Sequence, residues 1–216
     1  MRAMILAAGR GERLRPLTDE IPKPLIEVGG QSLLERHLDN ARSAGIKTVV
    51  INLGWLGDKI VERVGSGSRY GLNVIYSPEG DDILETGGGV YRALPMLGAD
   101  PFVVINSDIF TDMPLPVGEL DGKDLGKLML VPRPAHRSKG DFDLVDTRVR
   151  NSADPQLTFA GIAVYHPEFF AECSPGKFSL APMLRNAADE GSLCGELYNG
   201  PWEDVGSPER LAALNA

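Results

Sequence analysis

A chain of 216 residues has room for one generous domain, or a domain with a small lobe, and 43% hydrophobic against 24% charged residues is the balance of a globular protein with a full core. The formal charge of −8 argues against a broad nucleic-acid-binding surface, so an acidic chain that binds a polyphosphate must gather its cations locally or use a divalent metal. No stretch approaches the ~20 apolar residues that span a bilayer, the apolar run after Met1-Arg2 stops at Gly9-Arg10, too soon for a signal peptide, and two cysteines, Cys173 and Cys194, are too few for a disulfide framework. A soluble cytoplasmic protein with reduced, buried thiols is the expectation.

Met4–Ala8 reads as a buried strand. Ser32–Ala44 predicts a helix with Leu33, Leu34, His37, Leu38 and Ala41 on one face, Ser32 as N-cap, Glu35 three residues on and Gly45 as its stop. Thr48–Leu53 is a continuous β-branched run, as in a parallel strand covered on both faces. Trp55–Val64 is a second amphipathic helix, Asn73–Ser77 a third strand, Gly89–Leu97 a third helix interrupted late by Pro95, and Phe102–Asn106 a fourth strand. This alternation predicts an α/β fold with a doubly wound, Rossmann-like sheet and right-handed crossovers.

The second half changes character. Lys127–Val131 and Leu157–Tyr165 read as strands, and Asp143–Val145 with Arg148–Arg150 as a hairpin around Asp146-Thr147. Helices are expected at Pro167–Glu172 and Ser179–Glu190, then a short strand at Glu196–Tyr198 and a terminal helix from Ser207. The sheet should therefore be mixed but mostly parallel, within a single domain of residues 1–216 whose halves divide near residue 110.

The loop after the first strand carries the sharpest signal. Gly9 and Gly11 allow a tight turn with backbone N–H groups close to a ligand, while Arg10, Arg13, Arg15 and Lys23 add fixed positive charge. A polyphosphate ligand is the reading. The dinucleotide fingerprint fails, because Leu14 stands where the third glycine belongs. The Walker A pattern fails too: Gly122-Lys123, Gly126-Lys127 and Gly176-Lys177 precede Asp124, Leu128 and Phe178. A bare G-x-G also serves as a plain strand-to-helix turn, and the cations that follow set this one apart. G-x-G-x-R-L-x-P-x-T over Gly9–Thr18, then Pro22-Lys23-Pro24, resembles the signature of the sugar-1-phosphate nucleotidyltransferases.

In a doubly wound sheet, ligands sit beyond the carboxyl ends of the strands. After the third strand, Ser77-Pro78-Glu79-Gly80 runs through Glu85-Thr86 to Gly87-Gly88-Gly89, and a glycine triplet before a helix would admit a flat base and offer free N–H groups. After the fourth strand, Asn106-Ser107-Asp108 resembles the family's G-D element, with Ser107 for the usual glycine. Near the C-terminus, Trp202-Glu203-Asp204-Val205-Gly206-Ser207-Pro208 resembles its W-x-D-x-G-T-P element, with Ser207 for threonine. Ser207 and Pro208 also suit a plain helix start. Strand alternation would send Glu203 to the side opposite Asp204.

What the resemblance implies is specific. Ala8, Gly9, Gly11, Glu12, Arg13 and Lys23, with Gly87 and Gly88, would bind the nucleotide; Asp108 and Asp204 would share Mg²⁺; Asn106, Asp141 and Gly161 would face the sugar. Arg13 and Lys23 would be catalytic, Arg13 clamping the β- and γ-phosphates while the sugar-1-phosphate attacks the α-phosphorus. The family's later E-x-T-like segment with its phosphate lysine has no glutamate here; Lys177 is the candidate, against the plain alternative of a solvated lysine. His37 reads as a core residue, and His136 and His166 carry no catalytic or metal spacing.

The resemblance covers nearly the whole chain, without the C-terminal β-helix or dimerisation segments of longer members, so a monomer is expected. Leu84–Val90, Ala93-Leu94-Pro95, Gly140-Asp141-Phe142 and Leu180-Ala181-Pro182 resemble the branch that joins UTP to N-acetylmuramate 1-phosphate in bacterial peptidoglycan recycling. Arg133, Arg137 and Lys139 stand near Asp141 for that sugar's lactyl carboxylate. Guanylyl or thymidylyl transfer to another sugar-1-phosphate is the alternative. A non-catalytic nucleotide-sugar-binding module is the other, and the joint presence of Arg13, Lys23, Asp108 and Asp204 speaks for the enzyme.

Overall fold

The computed structural model describes residues 1–80 and 83–216. Asp81 and Asp82, within the loop read between Ser77 and Gly89, lie outside the described residues. The first half runs β1 (Ala3–Leu6), α1 (Leu17–Glu20), β2 (Glu27–Val28), β3 (Gln31–Ser32), α2 (Leu33–Ser43), β4 (Thr48–Leu53), α3 (Gly57–Val64), β5 (Asn73–Pro78), α4 (Glu85–Leu97) and β6 (Phe102–Asn106). The second continues with β7 (Ile109–Thr111), β8 (Gly126–Pro132), β9 (Asp143–Val145), β10 (Arg148–Arg150), β11 (Leu157–Tyr165), α5 (Leu180–Asp189), β12 (Leu193–Leu197), β13 (Trp202–Asp204) and α6 (Pro208–Leu214).

Nine strands form one sheet in the order β5-β4-β1-β6-β11-β8-β12-β10-β9. The first four are parallel, β11 is antiparallel to both its neighbours, and β12 runs parallel to β8. Alternation along the strands feeds two cores. Ala3, Ile5, Val49, Ile51 and Ile105 pack under Leu34 and Leu38 of α2 and Ile60 of α3. Met4, Val50 and Val104 pack on the other face against Val90, Ala93 and Leu97 of α4. Burial on both faces is why these strands read as unbroken β-branched runs, and helices on both faces make the sheet doubly wound.

Several boundaries differ from the sequence reading. β1 ends at Leu6, leaving Ala7 and Ala8 to the loop, and Pro167–Glu172 yields only a 3-10 turn over Pro167–Phe170. The expected strand at Glu196–Tyr198 is the tail of β12, which pairs with β8 from Leu193 onward. The thiols of Cys173 and Cys194 are free but only half-buried.

The largest difference concerns the glycine triplet. α4 begins at Glu85, four residues early, and continues through Pro95. Gly87 and Gly88 therefore lie inside the helix, and their N–H groups donate to the Phe178 carbonyl at 2.9 and 3.0 Å. They are not free for a base. A Cβ on Gly87 would strike the Phe178 ring, one on Gly88 the Gly176 carbonyl, and one on Gly89 would lie 2.6 Å from Glu79 Oε1. The glycines are small because the Gly176–Phe178 segment docks on the helix start; Phe178 N–H on the Leu84 carbonyl (3.1 Å) and Leu180 N–H on Thr86 Oγ1 (3.0 Å) complete a clasp between the two halves of the chain.

The expected cap of α2 is present and does more than end a helix. Ser32 and Glu35 form a reciprocal capping box. The Glu35 carboxylate also receives Arg63 Nε and Nη2 at 3.0 and 2.9 Å and the Tyr70 hydroxyl at 2.8 Å. Burial pushes its pKa up, but hydrogen bonds from Arg63, Ser32 and Tyr70 outweigh that and hold it at about 2. Among the described residues, no helix is long and apolar enough to cross a membrane.

Two stability measurements test this account. Glu35→Gln keeps the cap and removes the charge, so it should lower the unfolding free energy at pH 7 by about 1–2 kcal/mol, half-exposed Arg63 and Arg69 limiting the effect. With the folded-state pKa below the ordinary 4.5, this stabilisation is full above pH 4.5 and lost as pH falls toward about 2. The gap between wild type and variant should close across that window in urea titrations; a constant gap would contradict it. Gly88→Ala should cost about 1–3 kcal/mol by overpacking. Gly9→Ala, whose Cβ would meet nothing within 4 Å, should cost under about 0.5 kcal/mol.

Candidate active site

The carboxyl ends of the parallel strands open on a cavity of about 1030 Å³. Its walls bring together Ala8, Gly9, Gly11, Glu12, Arg13, Lys23, Asn106 and Asp108 from the sequence reading. Gly87 and Gly88 are not among the lining residues; the preceding Leu84, Glu85 and Thr86 are. Asp141, Gly161 and Asp204 do not line it either, although Gly206 does.

The cationic loop is fixed at both ends. Gly11 sits at φ +64°, its carbonyl accepting from Leu14 N–H and the Thr18 hydroxyl, both at 2.9 Å. Trp55 N–H donates to the Ala8 carbonyl (3.2 Å), and the Trp55 indole N–H to the Thr18 carbonyl (2.8 Å). Opposite the loop, Asn52 Oδ1 accepts from Ala7 N–H (2.6 Å), Asn52 Nδ2 donates to Glu79 Oε1 (2.6 Å), and Glu79 Oε2 accepts from Leu84 N–H (2.7 Å). Asn52 was missed as a site residue. Its signal was present: a polar residue near the carboxyl end of an otherwise apolar run, as Asn106 is at the end of β6.

Lys23 and Asp108, 85 positions apart in the sequence, meet Nζ to Oδ2 at 2.5 Å, with both side chains largely buried. His37 lies beneath them, 1% exposed; burial lowers its pKa to about 4 against the opposing pull of the Asp108 charge and a hydrogen bond at the Ile109 backbone. It is neutral at pH 7, as a core histidine should be.

Asp204 arrives through backbone pairing. β13 is antiparallel to β7 with Asp204 opposite Ile109, and Val205 N–H donates to the Asp108 carbonyl at 2.8 Å. The Asp204 carboxylate is held by two guanidinium groups, Arg137 Nη2 on Oδ2 at 3.1 Å and Arg210 Nη1 on Oδ1 at 2.5 Å. Arg137 also bridges to Asp141 Oδ2 (3.3 Å), which accepts from Phe159 N–H at 3.0 Å. Gly161, at φ +75° in a register shift of β11, lies against Asn106, where a Cβ would come within 2.9 Å of Nδ2. The sugar-side candidates thus form two contacts, Asn106 with Gly161 and Asp141 with Asp204 through Arg137.

Glu203 departs from expectation. It is not sent away from Asp204: the ligating atoms of His136, Glu203 and Asp204 lie within 4.8 Å of one another. A three-residue strand in a two-stranded ribbon constrains a long side chain weakly, and Arg210 Nε draws Glu203 back at 3.8 Å. Burial, reinforced by the Asp204 charge, raises the Glu203 pKa, with His136 and Arg210 opposing. His136 and Arg210 had no sequence signal, since their partners lie far along the chain.

These groups suit a hard divalent cation in chemistry. Glu203 Oε1 is buried and accepts no hydrogen bond from the described residues, Asp204 Oδ1 is buried against Arg210 alone, and carboxylate oxygens are the ligands Mg²⁺ prefers. Here the guanidinium groups of Arg137 and Arg210 balance the charge. Lys177 lines the cavity facing Glu85 Oε1 at 3.8 Å, and Glu85 itself holds φ +62°.

The Nucleotidyl transferase family profile matches residues 2–119. An N-acetylmuramate alpha-1-phosphate uridylyltransferase of Neisseria meningitidis is 44% identical over all of this chain and 97% of its own length. One from Caulobacter vibrioides is 31% identical over 99% and 95%. A Streptomyces griseus glucose-1-phosphate thymidylyltransferase is 30% identical over all of this chain but 65% of its own. Among solved structures, a Bacillus anthracis protein assigned as a glucose-1-phosphate thymidylyltransferase superposes with a TM-score of 0.87 at 21% identity, covering all of this chain and 94% of that one, which speaks for the fold. A doubly wound sheet, a cationic glycine loop at its carboxyl edge and full-length relatives together make this chain a member of the nucleotidyl transferase family.

Proposed function

We propose that this enzyme transfers UMP from UTP to N-acetylmuramate 1-phosphate, releasing pyrophosphate. One observation carries the chemistry: Arg13 and Lys23 from the loop after β1 and Asp108 from beyond β6 converge on one cavity with Lys23 and Asp108 already paired. The uridylyl and muramate specificity rests on the full-length likeness to the Neisseria and Caulobacter enzymes.

The sugar phosphate is already anionic near neutral pH, so it needs no general base. Catalysis becomes positioning and charge neutralisation. Arg13 neutralises the β- and γ-phosphates, where the leaving pyrophosphate gathers charge. Lys23, steered by Asp108, is placed to hold the α-phosphate or the incoming sugar phosphate. Asp108 and Asp204 would hold Mg²⁺, which when bound supplies Lewis-acid polarisation of the phosphates. Arg137 and Arg210 must then yield the Asp204 carboxylate. Arg137, released from Asp204 while still beside Asp141, becomes a free cation on the sugar side, suited to a sugar that carries a carboxylate.

Lys23→Ala and Asp108→Ala should each lower turnover by about 10²–10³ or more with the fold retained by circular dichroism; near-normal turnover in either would sink these roles. Chelating divalent metal should stop turnover, and Mg²⁺ should restore it. Pyrophosphate release across a grid of nucleoside triphosphates and sugar-1-phosphates should be greatest for UTP with N-acetylmuramate 1-phosphate. Release confined to dTTP with glucose 1-phosphate, the chemistry named for the Streptomyces relative, would replace this reading.

A further inference from the structure

Among the described residues, the cavity walls carry four cations, Arg10, Arg13, Lys23 and Lys177, against four carboxylates, Glu12, Glu79, Glu85 and Asp108. The lining is thus formally neutral in a chain of net charge −8, a poor attractor for a polyphosphate unless some cations are uncommitted. Lys23 is committed to Asp108 and Lys177 faces Glu85. Arg10 and Arg13 have no carboxylate partner among the described residues. Arg13 reaches toward Gly206, where a Cβ would lie 3.2 Å from its Nη2. Arg10 lies elsewhere, its guanidinium over the Trp55 ring at 5.3 Å from the centroid.

Trp55 is a fixed platform. Its backbone N–H is bonded to Ala8 and its indole N–H to Thr18, so the ring is tied to both ends of the loop that Arg10 occupies. A cation–π contact at an exposed site is weak, whereas a guanidinium meets a phosphate through paired, charge-assisted hydrogen bonds. The perch keeps Arg10 near the cavity at little entropic cost and gives it up readily to an anion.

We propose that Arg10 is a second phosphate-binding arginine of this loop, resting on Trp55 in the free protein and moving onto the β- and γ-phosphates, and hence the pyrophosphate, when they bind. The proposal rests on the nucleotidyl-transfer reading of the cavity. It gives one of the loop cations, at the position between Gly9 and Gly11 that the G-x-G pattern leaves open, a specific partner and a resting place.

The chain has two tryptophans, Trp55 and Trp202, and Trp202 is tied to the Ala160 carbonyl on the sugar side. Tryptophan emission should therefore change when inorganic pyrophosphate or UTP is titrated into the full chain. The change should vanish in Arg10→Ala and in Trp55→Phe. In steady-state assays, Arg10→Ala should raise KM for UTP, and for pyrophosphate in the reverse direction, by about tenfold, with kcat altered far less; Arg10→Lys should recover part of the loss. Unchanged KM values in Arg10→Ala, or an emission change that survives either substitution, would overturn the proposal while wild-type turnover left the nucleotidyl-transfer reading intact. If wild type turned over no nucleotide yet pyrophosphate still produced an Arg10-dependent change at Trp55, the phosphate role would stand and the transfer reading would fall.

Discussion

Backbone hydrogen bonding between Ile109–Thr111 and Trp202–Asp204, extended by Val205 N–H on the Asp108 carbonyl, joins two stretches of backbone nearly a hundred residues apart, each bearing a carboxylate. The contribution of Asp204 to the proposed site depends on that short ribbon. The parallel strands alone would present a cationic glycine loop and one aspartate, enough to bind phosphate. Pairing β13 to β7 adds Asp204 and carries Gly206 to the cavity wall beside Arg13. The clasp of Phe178 on Gly87 and Gly88 holds the second half of the chain against the first from the other side of the cavity.

Charge compensation follows from this convergence. Asp108 and Asp204 would each be costly to bury without cations. Lys23 satisfies one, and Arg137 and Arg210 satisfy the other. A guanidinium can withdraw along a flexible side chain, so under the proposed metal role the same carboxylates would be balanced in the free protein and could be released to a divalent ion. Arg137 is shared between Asp141 and Asp204, the proposed sugar-side and metal-side carboxylates. Under the proposed function, binding of metal and binding of an anionic sugar would be coupled through one side chain.

Much of this was legible in the sequence because strong local rules were in force. β4, β6, β11 and the β9–β10 hairpin came out at their observed bounds, since each is a β-branched run or an alternating pair closed by turn residues. Ser32 and Glu35 announced the start of α2. The glycine triplet misled because the residue type permits two opposite uses, approach of a ligand and approach of another backbone, and only the position of Phe178 decides between them. Glu203 misled because alternation governs Cα–Cβ directions, not the reach of a long side chain at the end of a three-residue strand. His136 and Arg210 could not be tied to the site without the fold, as their partners are distant in sequence, whereas Asn52 carried a signal in being a polar residue near the end of an apolar run.

The most direct measurement is a phosphorus-31 spectrum of the full chain incubated with UTP, N-acetylmuramate 1-phosphate and Mg²⁺. The account predicts loss of the α-, β- and γ-phosphate signals of UTP and of the sugar monoester signal, replaced by the coupled diphosphate pair of a nucleotide sugar and by pyrophosphate in equal amounts. Persistence of the starting signals, or conversion of UTP to UDP and orthophosphate with the sugar phosphate untouched, would contradict it.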